Sequence, residues 1–208
     1  MIAIVNYGLG NVQAILNIYR RLNIDARIAS VPEELEGADR YILPGVGAFD
    51  WAMVRLNQSG LREPLEARVR AGHPVLGICV GMQIMGESSD EGRLPGLGWI
   101  PGLVRRFSIG SNERQQLPHM GWNDVAPARP GGLFAGLESP FRFYFLHSYY
   151  FEPAAQTDVL AASDYPVPFA AAIQRGHVFG VQFHPEKSHG WGIQLLLNFS
   201  EVSCCGPG

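Results

Sequence analysis

The chain has 208 residues, of which 47% are hydrophobic and 17% charged, with a mean hydropathy of +0.03. Those figures fit one domain with one core and exclude a disordered chain, because there is enough apolar surface to offset the entropy of ordering. A net charge of −3, a pI near 6.1 and the lack of any Lys/Arg cluster give no basic field for a phosphate backbone, which excludes nucleic acid as an expected partner.

The opening Met1-Ile2-Ala3-Ile4-Val5 is a continuous apolar run with no basic stretch or cleavage site. It reads as a buried strand, and the expected address is cytoplasmic. No apolar run approaches the ~20 residues of a membrane span. After the turn-prone Asn6-Tyr7-Gly8-Leu9-Gly10-Asn11, the residues Val12, Ile15, Leu16, Tyr19 and Leu22 recur at helical spacing. A first β–loop–α unit results.

The alternation then repeats. A short strand is expected at Ala26 to Ala29, a helical turn from Pro32, and a strand Tyr41-Ile42-Leu43 stopped by Pro44-Gly45. Helices follow near Phe49 to Leu56 and Leu61 to Ala71, then a strand Val75 to Ile78. This order predicts a parallel α/β sheet with crossover helices. From about Gly92, Gly, Pro, aromatic and β-branched residues replace helical periodicity. Antiparallel or mixed strands are expected at Leu103 to Phe107, Arg142 to Phe145, Val159 to Ala162 and Val178 to Phe183. A last helix, Trp191 to Ser200, should pack on the sheet through Ile193, Leu196, Leu197 and Phe199. Residues 1–200 read as one domain and 201–208 as a flexible tail.

Three cysteines, Cys79, Cys204 and Cys205, suit neither a disulfide framework nor a zinc site. In Gly77-Ile78-Cys79-Val80-Gly81 the cysteine stands between glycines, after an apolar strand and before a helix start. That is a nucleophile elbow with sulfur in place of a serine oxygen. Side chains two positions either side would collide across so sharp a turn. Three cysteines and 25 glycines yield such a placement only ~0.04 times by chance. A free cysteine taken by itself is more often a small core residue.

A nucleophile needs a base, and Phe183-His184-Pro185-Glu186 offers one at the end of a strand. Residues i and i+2 of an extended segment share a side, so Glu186 can hold the His184 imidazole while its other nitrogen faces the sulfur. Without the elbow, the same residues would read as a loop histidine with a solvated carboxylate. His73 reads as a turn residue, His177 and His189 as surface residues. No His-Glu-x-x-His occurs, and no metal is expected. Leu43-Pro44-Gly45-Val46-Gly47 could turn backbone N–H groups toward an oxyanion, helped by the N–H of Val80. Gln13 stands where a dinucleotide fingerprint has Gly or Ala, and no Gly-Lys-Ser/Thr is present, so no cofactor is expected.

Gly77 to Gln83 together with His184-Pro185-Glu186 resembles the Cys-His-Glu triad of class I glutamine amidotransferases. Tyr7 to Asn11, Leu43 to Phe49, Pro118 to Asn123, Phe145 to Tyr150 and Gly180 to Ser188 extend the resemblance, in family order, to the glutaminase subunits of imidazole glycerol phosphate synthase. The resemblance implies a flavodoxin-like fold, a parallel or mixed central sheet flanked by helices, with extra antiparallel strands in the second half. It implies that Cys79 attacks the side-chain amide of L-glutamine, releasing ammonia and leaving a thioester, with His184 as the proton shuttle. It also implies that Gly47, Gln83, His147, Ser148 and Tyr149 hold the glutamine, that Val46 or Gly47 and Val80 supply the oxyanion N–H groups, and that Asn11, Trp122 and Lys187 face a partner synthase in a heterodimer. For Trp122 the competing reading is a core aromatic.

Asn6, Val80 and His189-Gly190-Trp191-Gly192 depart from the usual histidine-pathway pattern. The helix Asn17 to Ile24 and Gly96 to Gly102 also resemble paralogues that feed ammonia to sugar amidotransferases of surface-polysaccharide synthesis. Two acceptors therefore stand open, a cyclase of histidine biosynthesis and a sugar synthase. A catalytically silent binding subunit and a stand-alone hydrolase of γ-glutamyl compounds are the competing functions, and an intact Cys79, His184 and Glu186 argue against the silent one.

Overall fold

The computed structural model describes residues 1–108 and 116–203. Cys204 and Cys205 lie outside them, as does most of the expected tail. The first half runs β1 (Ile2–Val5), α1 (Val12–Arg21), β2 (Ala26–Ala29), β3 (Arg40–Gly45), α2 (Phe49–Gln58), α3 (Arg62–Arg70), β4 (Val75–Cys79) and α4 (Val80–Gln83). The second adds β5 (Ser88–Ser89), β6 (Gly102–Arg106), β7 (His119–Asp124), β8 (Ala126–Pro127), β9 (Arg142–His147), β10 (Tyr149–Pro153), β11 (Val159–Asp164), β12 (Pro168–Arg175), β13 (Val178–Val181) and α5 (His189–Glu201).

The main sheet has the order β2-β1-β3-β4-β13-β12-β11-β8. Strands β1 to β4 and β13 are parallel, and β12, β11 and β8 extend the sheet antiparallel. Fully buried β1 and β4 explain the continuous apolar runs, since helices cover both faces of a parallel sheet. Strand β13 pairs parallel with β4 and antiparallel with β12, so it is the mixed strand that joins the two sets, in keeping with the expectation of antiparallel or mixed strands. A three-stranded sheet β10-β6-β5 and a ribbon β7-β9 stand apart from the main sheet. Apolar side chains from both halves share one buried cluster. Among the described residues, no helix is long and apolar enough to cross a membrane.

Helix α1 buries Ile15, Leu16, Ile18 and Tyr19, and Asn11 caps its start by accepting from the Ala14 N–H at 3.1 Å. Strand β3 does not stop at Leu43, as expected from Pro44, but continues to Gly45. Pairing with β1 ends at Ile42, while pairing with β4 goes on to Gly45. Tyr41 N–H faces β4, donating to the Pro74 carbonyl, so alternation turns Pro44 toward the side that β1 has vacated. No ladder bond is lost there, and the Pro44 carbonyl accepts instead from the Tyr7 hydroxyl at 2.7 Å.

Helix α5 also differs from its expected face. Leu195, Leu196 and Phe199 are buried, while Ile193 and Leu197 are half-buried. Asn198 replaces an apolar residue on that face because its amide donates to the carbonyls of Leu133 and Ala135. His177 is half-buried rather than on the surface, with Nε2 2.7 Å from the Val69 carbonyl.

Candidate active site

The carboxyl ends of β3, β4 and β13 converge, the place where open α/β sheets hold their ligands. Cys79 ends β4 with φ +56° and ψ −114°, a backbone that a side chain tolerates only when the surroundings enforce it. The enforcing packing is visible at the glycines. A Cβ on Gly77 would lie 2.7 Å from the Gly81 carbonyl oxygen and the Met82 backbone. One on Gly81 would run into the Leu43 carbonyl, so β3 presses directly on the turn. The collision expected across the elbow is therefore present on both sides.

Past β13 the chain stays buried through Gln182, Phe183 and His184. The His184 N–H donates to the Tyr144 carbonyl at 2.8 Å, and Ser188 Oγ clamps the same corner, donating to the His184 carbonyl and accepting from the Tyr144 N–H. Pro185–Lys187 is a 3₁₀ turn and not the extended segment expected, because proline at its first position suits that turn. The turn still delivers Glu186, whose Oε1 lies 2.9 Å from His184 Nδ1, with both side chains 4% exposed. Burial opposes charge on the His184 ring, but hydrogen bonds to Cys79 and Glu186 and the charges of both outweigh it. Its pKa is pushed up to about 10. The other Glu186 oxygen is buried with no partner among the described residues.

A cleft of about 300 Å³ opens over Cys79 and His184. Val46, Gly47, Val80, Gln83, His147, Ser148, Tyr149 and Lys187 all line it, so the structure brings these sequence-derived residues together. Gly47 has φ +86°, which glycine alone adopts without strain. Two of the residues are more committed than expected. Gln83 is buried, and its Nε2 donates to the Tyr149 carbonyl and to Gln182 Oε1, each at 3.0 Å. Both ring nitrogens of His147 are engaged as well, with the Tyr149 carbonyl and with His119. Neither side chain has a spare N–H for a ligand.

Asn11 and Trp122 do not line the cleft. Asn11 is exposed and caps α1, as described above. Trp122 is 38% exposed rather than a core residue, and it stacks on exposed His189 at 5.3 Å. Lys187 Nζ sits over the Tyr144 ring, 5.6 Å from its centre. Met120, 65% exposed, and Leu146 add apolar surface nearby on β7 and β9.

Three further residues of the site were not singled out from the sequence. Gln182 donates to Cys79 Sγ at 3.7 Å. Glu91 lines the cleft from a loop, and its Oε2 accepts from the Phe49 N–H at the start of α2. His119 lies buried behind His147, where only its place in Pro118 to Asn123 could have drawn notice.

A family model described as glutamine amidotransferase class-I matches residues 3–201. A protein of Bdellovibrio bacteriovorus named imidazole glycerol phosphate synthase subunit HisH is 57% identical over 204 residues, covering 97% of this chain and 100% of that one. One of Leptospira interrogans with the same name is 46% identical, with the same coverage. Among solved structures, a glutamine amidotransferase superposes with a TM-score of 0.74 at 21% identity, covering 97% of this chain and 99% of that one. PurLQS from Thermotoga maritima gives 0.71 at 15% identity, covering 95% and 96%, and both likenesses concern the fold. The chain belongs to the class I glutamine amidotransferase family.

Proposed function

We propose that residues 1–200 form one glutamine amidotransferase domain, the glutaminase subunit of an imidazole glycerol phosphate synthase. It hydrolyses L-glutamine and passes the ammonia to a cyclase partner. The observation that carries the chemistry is the bonding of one buried imidazole, His184, to both the strained Cys79 and the Glu186 carboxylate at the wall of the cleft. The names of relatives 57% and 46% identical to this chain support the histidine pathway over the sugar pathway.

In this reading the Cys79 sulfur attacks the side-chain amide carbon of glutamine. The oxygen of the tetrahedral intermediate lies against the N–H groups of Val80 and of Val46 or Gly47. Val80 opens α4, where the first N–H groups have no partner within the helix. His184 gives its proton to the departing nitrogen, ammonia leaves and a thioester remains. Water then attacks the thioester carbon, His184 takes the water's proton, and the sulfur departs to leave glutamate. Glu186 holds the tautomer and stabilises the imidazolium without taking the proton itself. Glu91 is the carboxylate of the cleft wall, held by the Phe49 N–H through Oε2 and suited to the α-ammonium of the substrate. Lys187, Trp122 and Asn11 lie on exposed surface and serve the partner contact.

Cys79→Ala tests the reading. Glutamine hydrolysis should fall by ~10³-fold or more, while synthesis from added ammonium salt by the reconstituted pair continues. A glutamine-like diazoketone should label Cys79 and spare Cys204 and Cys205. Labelling confined to the tail, with an active Cys79→Ala protein, would overturn the assignment. Capture of a sugar synthase in place of a cyclase from the native cell would move the acceptor to the polysaccharide pathway.

A further inference from the structure

Strands β7 and β9 pair with His119 directly opposite His147. The two rings meet edge to face, with His119 Nδ1 3.0 Å from His147 Nε2, and both are buried. The positions of their protons are forced by what surrounds them. The Tyr149 carbonyl, 2.8 Å from His147 Nδ1, can only accept, so Nδ1 carries the hydrogen. In a neutral ring Nε2 is then bare and takes the N–H of His119 Nδ1. The bare Nε2 of His119 accepts in turn from Asn123 Nδ2 at 3.2 Å. The amide of Asn123 cannot flip, because Nδ2 also donates to the Asp164 carbonyl at 3.1 Å and Oδ1 accepts from the Asp124 N–H at 2.8 Å. Three groups therefore donate in one direction, Asn123, His119 and His147, and the Tyr149 carbonyl accepts at the end.

Both rings are neutral near pH 7. Burial drives His119 down to about 4. For His147, burial and the charges of His119 and His184 outweigh the bond to Tyr149 and lower it to about 3. The ionisable groups facing the pair are His184, the cleft residues Cys79, Glu91 and Lys187, and the Tyr165 phenol stacked 4.0 Å from His119. Phe107, Phe145 and Phe169 close the rest of the wall.

We propose that the neutral His119–His147 relay is the positioning device of the glutamine cleft: it fixes the Tyr149 carbonyl, and with it the wall 147–149, without exchanging a proton. The same carbonyl accepts from Gln83, which donates onward to Gln182, whose amide reaches Cys79 Sγ. A displaced carbonyl therefore disturbs the substrate wall directly and reaches the donor to the nucleophile only through two further side chains. Positions so held within hydrogen-bond tolerance are what binding of a small polar substrate requires. The proposal rests on the glutaminase reading.

The test is glutamine hydrolysis by the full chain carrying His119→Leu or His119→Asn, assayed with its cyclase partner, with ¹⁵N spectra of the imidazoles of the unaltered protein at pH 7. His119→Leu removes the donor and leaves His147 Nε2 unpaired, so KM for glutamine should rise ~10-fold with kcat changed less than ~3-fold. In His119→Asn the amide N–H takes the place of Nδ1–H and should return KM to within ~2-fold of the unaltered protein. The spectra should show both rings neutral with the hydrogen on Nδ1. An unchanged KM in His119→Leu, no recovery in His119→Asn, or a charged or Nε2–H ring at His119 or His147 at pH 7 would each overturn the relay. An unaltered protein that releases no glutamate with the cyclase partner present would instead sink the glutaminase reading, and the spectra would still decide the relay.

Discussion

Two buried histidine arrangements flank one cleft, and one is charged where the other is neutral. His184, on the parallel-sheet side, keeps its proton to about pH 10, whereas His147, on the β7-β9 ribbon, loses its own at about 3. Depth does not separate them, since His184 is 3% exposed and His147 6%. Burial alone pushes any imidazole toward the neutral form, and at His147 only a backbone carbonyl opposes it. At His184 the Glu186 carboxylate and the Cys79 sulfur overcome the same burial. The two sides are also coupled, because the charge on His184 further disfavours a proton on His147. The identity of the neighbour therefore assigns one histidine to proton transfer and the other to fixed hydrogen bonding.

The largest break in that contrast comes from removing the charged member. His184→Ala deletes both the base and the donor to the leaving nitrogen, and kcat for glutamine hydrolysis should fall ~10³-fold or more. Glu186→Gln is milder. It keeps the shape of the side chain but withdraws one of the causes that raise His184, so the ring should titrate below its present value of about 10. The alkaline limb of the rate profile should move to lower pH, with kcat reduced ~10- to 100-fold and KM little altered. Rates across pH 6 to 10 check both effects, and an unmoved alkaline limb in Glu186→Gln would detach Glu186 from the imidazole.

The charged side of the cleft was legible in local sequence pattern, whereas on the neutral side His147, Ser148 and Tyr149 came only through the family resemblance and His119 was not singled out. Ile2 to Val5 and Val75 to Ile78 read as strands because a sheet covered on both faces needs uninterrupted apolar residues. Cys79 stood out because the elbow admits only glycine at positions 77 and 81. His184 and Glu186 were paired correctly but through the wrong backbone, since a 3₁₀ turn does what the extended segment was expected to do. Pro44 misled because its meaning depends on which neighbour strand has already ended, a fact of tertiary structure. On β7 the usual polarity is reversed. Met120 and Trp122 point outward and His119 inward, so the apolar alternation marks the exposed face and hides the buried histidine. His119 and Glu91 reach their places through long-range pairing and a loop, neither of which leaves a local pattern.

The smallest expected effect sharpens the comparison through stability rather than rate. An unfolded histidine titrates near ~6.5, while folded His119 is lowered to about 4. Between those values the unfolded chain binds a proton that the folded chain refuses, so His119 makes stability fall as pH drops through that window, with no effect above it. His184 works in the other direction. Its folded value is raised, so its contribution is complete below ~6.5 and is lost as pH rises toward about 10, outside the acid window. Asparagine does not titrate, and His119→Asn should therefore show a smaller drop in urea midpoint between pH 7 and pH 5 than the unaltered protein. The comparison is between slopes, so a uniform loss of stability from the missing ring stack on Tyr165 cancels. Carboxylates contribute equally to both proteins. Equal slopes would mean that His119 takes up its proton in the folded state as easily as in the unfolded one, and the contrast between the two sides of the cleft would then rest on His147 alone.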